Sequence, residues 1–191
     1  LAFWAKENRS RLIHLSTDCV FDGKSGGYTE QSAPTATDIY GKTKFLGEVK
    51  EHGALTLRAP ILGREIEGRT ELIEWFLSQK NKSIKGYSKA MYSGITSIQL
   101  SKEIIKIIEN YPSLSGLMQI SGPKISKYEL LRLLNHYSNT KAILEKEDGF
   151  STDKSLDSSL YRKITGWESP SWESMIKELF ADQEIMYDKW N

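Results

Sequence analysis

Apolar and polar positions divide the chain into short apolar runs separated by longer amphipathic stretches. "RLIHL" (11–15) is an apolar run bounded by polar residues and predicts a buried strand. A loop rich in Gly, Ser, Thr and Pro follows, "GKSGGYTEQSAPTATD" (23–38). The next stretch predicts a helix from about Asp38 to Glu51, with His52-Gly53 as its end signal, and "ALTLRA" (54–59) a second strand. Strand, helix, strand with short links is the α/β pattern, and these two strands are expected to be parallel neighbours. Further on, "TELIEWFLSQK" (70–80) reads as a helix with Thr70 as N-cap, and "TSIQLSKEIIKIIENY" (96–111) as an amphipathic helix capped by Thr96 or Ser97 and ended before Pro112. "GLMQIS" (116–121) predicts a third strand. Ser126-x-x-Glu129 before an apolar run is a capping box opening a helix over 126–137. The tail from 141 holds a short apolar stretch, a polar Ser/Asp loop and a last helix near 171–187, while the opening "LAFWAKENRS" reads as helical.

Composition narrows the class of function. The 191 residues are 39% hydrophobic and 27% charged, and 26 basic against 25 acidic residues leave a net charge of +1. That balance, with no basic stripe, argues against nucleic acid as a partner. Cys19 is the only cysteine, so no internal disulfide or cysteine-based metal cluster is expected, and a cytoplasmic, reducing compartment fits. His14, His52 and His136 have no metal-ligand spacing, so no metal is expected. No apolar run approaches the roughly 18 residues of a membrane span, so no membrane association is expected.

Candidate chemistry lies in "DIYGKTKFLGEV" (38–49). At about 100° per residue, Ile39, Leu46 and Val49 share one side of the helix, an expected core stripe, and Tyr40, Lys44 and Gly47 share another. Gly47 is expected to allow a close approach. A phenol with a pKa near 10 gives up a proton reluctantly, and a nearby ammonium favours the phenolate. A neighbouring hydroxyl steadies the reacting oxygen, and Ser16 and Thr17 lie at the C-terminal end of the first strand, where open α/β sheets bind ligands. A Tyr-x-x-x-Lys pair alone is common on solvated helix faces, so its neighbours carry the weight.

Those neighbours bring a resemblance. "LSTDCVFDG", "GGYTEQSAPTATDIYGKTKFLGE" and "LRAPILG" resemble the extended short-chain dehydrogenase/reductase superfamily, and within it the dTDP-4-dehydrorhamnose reductase group of nucleotide-sugar reductases. Similar pieces recur at 92–104, 115–131 and 154–172, over nearly the whole chain. The resemblance implies Tyr40 as catalytic acid, Lys44 as the partner that lowers its pKa and holds the nicotinamide ribose, and Thr17 as the third catalytic residue. Ser16, Ala59, Pro60 and Ile61 are implied beside the cofactor, and Asp18, Val20 and Phe21 near the sugar. It implies hydride transfer from NADPH or NADH to a 4-keto nucleotide sugar, and leaves a homodimer open. The implied fold is a partial Rossmann-type (doubly wound parallel) sheet, residues 1–63 and 94–122, with a smaller mixed α/β substrate-binding lobe, residues 64–93 and 123–191.

Several features depart from the group. No G-x-x-G-x-x-G or G-x-G-x-x-G follows a strand in these residues. The expectation is therefore that the chain is the C-terminal portion of a longer reductase, weak in NAD(P) binding by itself and with apolar surface exposed. Cys19 stands where the group has tyrosine, "PTATDIY" lacks the usual asparagine, and "RAPILG" replaces an R-T-S-W-like segment. An epimerase or dehydratase of the same superfamily, and a non-catalytic relative acting as a regulatory subunit, remain open. A sugar-stacking surface from Trp75, Phe76, Tyr87 and Tyr92 is a further expectation, and Trp167 and Trp172 are expected to pack the last helix.

Overall fold

The computed structural model describes residues 1–65, 68 and 70–186. In chain order the elements are α1 (Ala2–Glu7), β1 (Ile13–Ser16), a 3-10 turn (Asp18–Val20), α2 (Ile39–Leu46), β2 (Leu55–Arg58), β3 (Ile61–Leu62), α3 (Leu72–Leu77), β4 (Ser83–Tyr92), β5 (Ile95–Thr96), α4 (Ser97–Asn110), β6 (Gly116–Gln119), β7 (Ile125–Ser126), α5 (Lys127–Tyr137), β8 (Ile143–Asp153), α6 (Ser159–Thr165) and α7 (Trp172–Met186). Residue 187, the end of the helix expected near 171–187, lies outside the described residues.

The fold is α/β. β1, β2 and β6 form a parallel sheet in the order β1-β2-β6, with Ile13 opposite Leu55 and Arg58 opposite Gln119. β2 is central and buried along its length, which is why "LTLR" carries no exposed alternation. β3 pairs β5 in a short parallel ladder. A second three-stranded sheet, in the order β7-β4-β8, joins β4 and β8 in parallel with a register irregularity between Tyr87 and Lys89. One core spans both, from Leu55 and Leu57 through Phe76, Ile95 and Ile107 to Leu130, Met175 and Ile176, with Trp167 and Trp172 within it. A second, smaller core holds Val20, Phe21, Tyr28 and Leu156.

Local signals set the helix starts. Thr96 caps α4 by accepting from the Gln99 N–H, and Ser126 caps α5 by accepting from the Glu129 N–H. The N-cap of α3 is Glu71 rather than Thr70, because the Glu65 carboxylate takes both the Thr70 N–H and its hydroxyl.

α2 departs most from expectation. It ends at Leu46, and Ile39 and Leu46 are 82% and 79% exposed, so the expected apolar stripe faces outward. The buried position is Gly41: a Cβ there would fall 2.2 Å from the Cys19 carbonyl oxygen and 2.6 Å from the Ala36 Cβ. Contact with the 3-10 turn therefore orients the helix, not an apolar stripe. Gly47 has φ −81° and nothing nearer than 3.5 Å to a built Cβ, so it is not the glycine of close approach. Phe3, Trp4, Ile105 and Ile108 are also exposed. No helix among the described residues is long and apolar enough to cross a membrane.

Candidate active site

The site forms just beyond the C-terminal end of β1, where the chain leaves the sheet through Thr17 into the 3-10 turn. Thr17 caps that turn: its Oγ1 accepts from the Cys19 N–H at 3.2 Å and donates to the Asp18 carboxylate at 3.1 Å. Asp38 caps α2 by accepting from the Gly41 N–H at 2.8 Å. With Gly41 seated on the Cys19 carbonyl, Tyr40 comes near enough to the Thr17 hydroxyl to feel it, and the residue stays 57% exposed. One turn later, Lys44 Nζ donates to the Leu15 carbonyl at 2.7 Å, so its ammonium is tied to β1 beside the same opening. Thr17 and Tyr40 are thus neighbours at the end of β1, and Lys44, one turn further along α2, is held on the Leu15 carbonyl.

Electrostatics refine their roles. Burial holds the Tyr40 phenol above its ordinary pKa, the Cys19 thiol adds to this, and the Thr17 hydroxyl pulls the other way. Its net displacement is upward, so in this arrangement the phenol is kept protonated. Burial likewise raises the Asp18 carboxyl, against the Thr17 hydrogen bond and the charges of Lys154 and Lys127. A hydroxyl has one proton, so Thr17 gives it to Asp18 or to a Tyr40 phenolate, not both.

The remaining expected residues divide. The Ser16 hydroxyl is taken by Glu48 at 2.8 Å, and Glu48 is held twice by Arg58, leaving Ser16 a structural role in the sheet-to-helix junction. Ala59 and Pro60 are buried beside the end of β2, and Ile61 is 45% exposed at the start of β3. The Val20 and Phe21 side chains are fully buried in the smaller core. There Phe21 stacks on Tyr28 and carries the Arg58 guanidinium on its other contact at 5.0 Å, so neither side chain lies on an open surface. Of the proposed stacking aromatics, Phe76 is core, Tyr87 pairs with Phe150 and Trp75 is at the surface. Tyr92 is 8% exposed, with the Lys127 ammonium 4.0 Å from its ring centre.

Sequence reasoning missed Gly41, Glu48, Arg58 and Lys127. Lys127 carried a readable signal: a cation in the first turn of a helix opposes the helix dipole. The others depend on contacts from distant segments.

The donor set fits a nicotinamide ribose. Lys44 spends one of its three N–H donors on Leu15, leaving two, and Tyr40 lies one turn earlier on the same helix, a donor set that would suit a ribose diol. Among the described residues no group of three or more His, Cys, Asp or Glu is placed to hold a metal ion.

Comparison with known proteins agrees with this architecture. The family described as RmlD substrate binding domain matches residues 1–59. Methionine adenosyltransferase 2 subunit beta of Xenopus tropicalis is 34% identical over 137 residues, covering 62% of this chain and 39% of that protein. The chain thus spans about two fifths of the length of that curated relative. A hypothetical dTDP-4-dehydrorhamnose reductase of Sulfolobus tokodaii superposes with a TM-score of 0.72 at 28% identity, covering 90% of this chain and 65% of that one. The dTDP-4-dehydrorhamnose reductase of Bacillus anthracis in complex with NADP shares the fold, with a TM-score of 0.76 at 22% identity, covering 95% of this chain and 68% of that one. The chain is thus similar over residues 1–59 to the RmlD substrate binding domain and, over most of its length, has the fold of these solved reductases.

Proposed function

We propose that the protein carrying this chain reduces a 4-keto nucleotide-diphosphate sugar with NADPH or NADH, and that Tyr40 gives its phenolic proton to the sugar oxygen. The observation that supports this reading is Tyr40, exposed and near the Thr17 hydroxyl at the end of β1, on the helix whose Lys44 is tied to Leu15 at 2.7 Å. When bound, the nicotinamide cofactor supplies the hydride for the keto carbon. Lys44 and Tyr40 would hold its ribose, and Ala59, Pro60 and Ile61 would line its nicotinamide. As the new C–H bond forms, negative charge grows on the ketone oxygen. The Tyr40 O–H bond breaks toward that oxygen, giving the alcohol, and the Thr17 proton turns to the phenolate until solvent reprotonates it. In this reading residues 1–63 and 94–122 form the cofactor side and residues 64–93 and 123–191 the substrate lobe.

The test is NAD(P)H oxidation by the full protein with a dTDP-4-keto-6-deoxyhexose. Turnover lost in Tyr40→Phe, with cofactor binding retained, is the expected result. Equal turnover in wild type and Tyr40→Phe would remove the reading.

A second reading is favoured by a specific observation, the similarity to a protein named as subunit beta of a methionine adenosyltransferase. In it the chain is a non-catalytic regulatory subunit that keeps the pocket for binding. Stable complex formation with a methionine adenosyltransferase catalytic chain, altering that enzyme's kinetics, without NAD(P)H turnover, is its signature.

A further inference from the structure

A cleft of about 540 Å³ opens where the Gly26-Gly27 loop, the segment after β6 and the segment joining β8 to α6 meet. That volume falls in the roughly 300–1,000 Å³ range of small-molecule sites. Thr17, Tyr40 and Lys44 are not among the residues that line it. Its walls are polar: apart from glycines, Pro123 and Leu156 are its only apolar lining residues among those described. Ser93 and Ser155, 1% and 4% exposed, both line it. Each of their hydroxyl oxygens accepts a backbone N–H, from Leu156 at 2.9 Å and from Gly27 at 3.0 Å. Among the described residues neither hydroxyl proton has an acceptor, whereas Ser121 in the same cleft gives its proton to the Leu156 carbonyl at 2.9 Å. Leaving a buried donor unmade is costly, so two hydroxyls await an acceptor here.

Two cations line the same cleft. The Arg162 guanidinium makes no hydrogen bond among the described residues, its nearest carboxylate being Asp157 at 3.9 Å. Lys124 pairs with Asp153 and keeps two N–H donors. On Asp157, Oδ1 takes the Ser159 N–H and hydroxyl, which leaves Oδ2 as an open acceptor at the rim. Asp153 and Asp157 offset the two cations, so the cleft selects a ligand through the placing of its donors, not through net charge.

We propose that this cleft is a second ligand site, for the phosphate monoester of a small hydroxylated molecule. Arg162, Lys124, Ser93 and Ser155 are four donor groups from separate chain segments. They outnumber the two oxygens of a carboxylate and suit the three terminal oxygens of a phosphoryl group, which the arginine fork takes two at a time. Asp157 Oδ2 accepts from a hydroxyl of the ligand body, and the volume beyond the phosphoryl group holds that body.

The test is calorimetry on the full protein with glucose 1-phosphate, inorganic phosphate and glucose, in wild type, Arg162→Gln, Lys124→Gln and Tyr40→Phe. Arg162 and Lys124 side chains are 41% and 49% exposed, so neither substitution opens the core. Glucose 1-phosphate should bind, inorganic phosphate more weakly and glucose not at all. Loss of charged donors predicts roughly ten- to hundredfold weaker binding of the ester in Arg162→Gln, a smaller loss in Lys124→Gln and no change in Tyr40→Phe. In wild type, glucose 1-phosphate should also shield Arg162 from phenylglyoxal. No binding of either phosphate-bearing probe, ester affinity indifferent to Arg162, or glucose binding as well as its phosphate overturns the proposal. Equal affinity for the ester and for inorganic phosphate overturns the ester class, and loss in Tyr40→Phe overturns the placement by moving the ligand to the other site.

Discussion

Glu48 and Arg58 close a two-pronged ion pair, Nε to Oε1 at 2.6 Å and Nη2 to Oε2 at 2.8 Å, with both side chains 1% exposed. The pair ties the segment after α2 to the end of β2, and Ser16 on β1 adds a third attachment to the same carboxylate. It thereby clamps the helix that carries Tyr40 and Lys44 at its far end. Removing one partner leaves an uncompensated buried charge, so Arg58→Met should cost about 3–5 kcal/mol in urea unfolding. Glu48→Gln keeps the shape and should cost less. An Arg58→Met protein as stable as wild type would show that the pair contributes nothing to the clamp.

Tyr40 must be protonated to act as an acid. Burial moves its pKa above the ordinary phenol value of about 10, so a reductive rate that depends on it should be flat from neutral to mildly alkaline pH and fall only beyond that value. Thr17 pulls that pKa down, so Thr17→Ala should shift the alkaline limb to still higher pH while lowering the rate. A limb that moves to lower pH in Thr17→Ala would contradict the influence of Thr17 on the phenol.

Asp18 is 7% exposed, and its carboxyl is held above the usual range chiefly by burial. A raised folded pKa means that its contribution to stability is present below the unfolded value, near 4, and is lost as pH rises through the folded value. Asp18→Asn should therefore raise the melting temperature at pH 7 and make no difference well below pH 4, and it should weaken sugar binding. A melting temperature lowered equally at both pH values would mean that Asp18 serves the fold, not the ligand.

What was legible in the sequence was mainly local. Ser126-x-x-Glu129 and Thr96 announced helix starts because a cap needs only three residues to form. The parallel pairing of β1 with β2 followed from an apolar run, a helix and a second apolar run. β4 and β8 were not legible: Ser83 pairs with Ile143 across a separation no local pattern encodes. In β4 the exposed Lys85 breaks up the apolar signal, and β8 is a mostly exposed edge strand. Tyr40 and Lys44 could be named from their spacing, but the outward turn of Ile39 and Leu46 could not, because contact with the Cys19 carbonyl decides it.

Because of that contact, two glycines only six positions apart, Gly41 and Gly47, differ in consequence. At Gly41 a methyl group would overlap the Cys19 carbonyl oxygen and the Ala36 Cβ, and the first of these is backbone that yields only by moving the 3-10 turn. Overpacking of this kind costs roughly 1–3 kcal/mol, and here it also separates Tyr40 from Thr17. At Gly47 the backbone is helical, with φ −81° and ψ −8°, and a methyl group meets only ordinary contacts. Gly47→Ala should be neutral or stabilising by up to about 1 kcal/mol, through a less flexible unfolded chain. The pair of variants separates packing from helix propensity, since both replace glycine by alanine on the same helix or its cap. If Gly41→Ala matched Gly47→Ala in melting temperature and in turnover, the seating of α2 on the turn could not be what brings Tyr40 to Thr17.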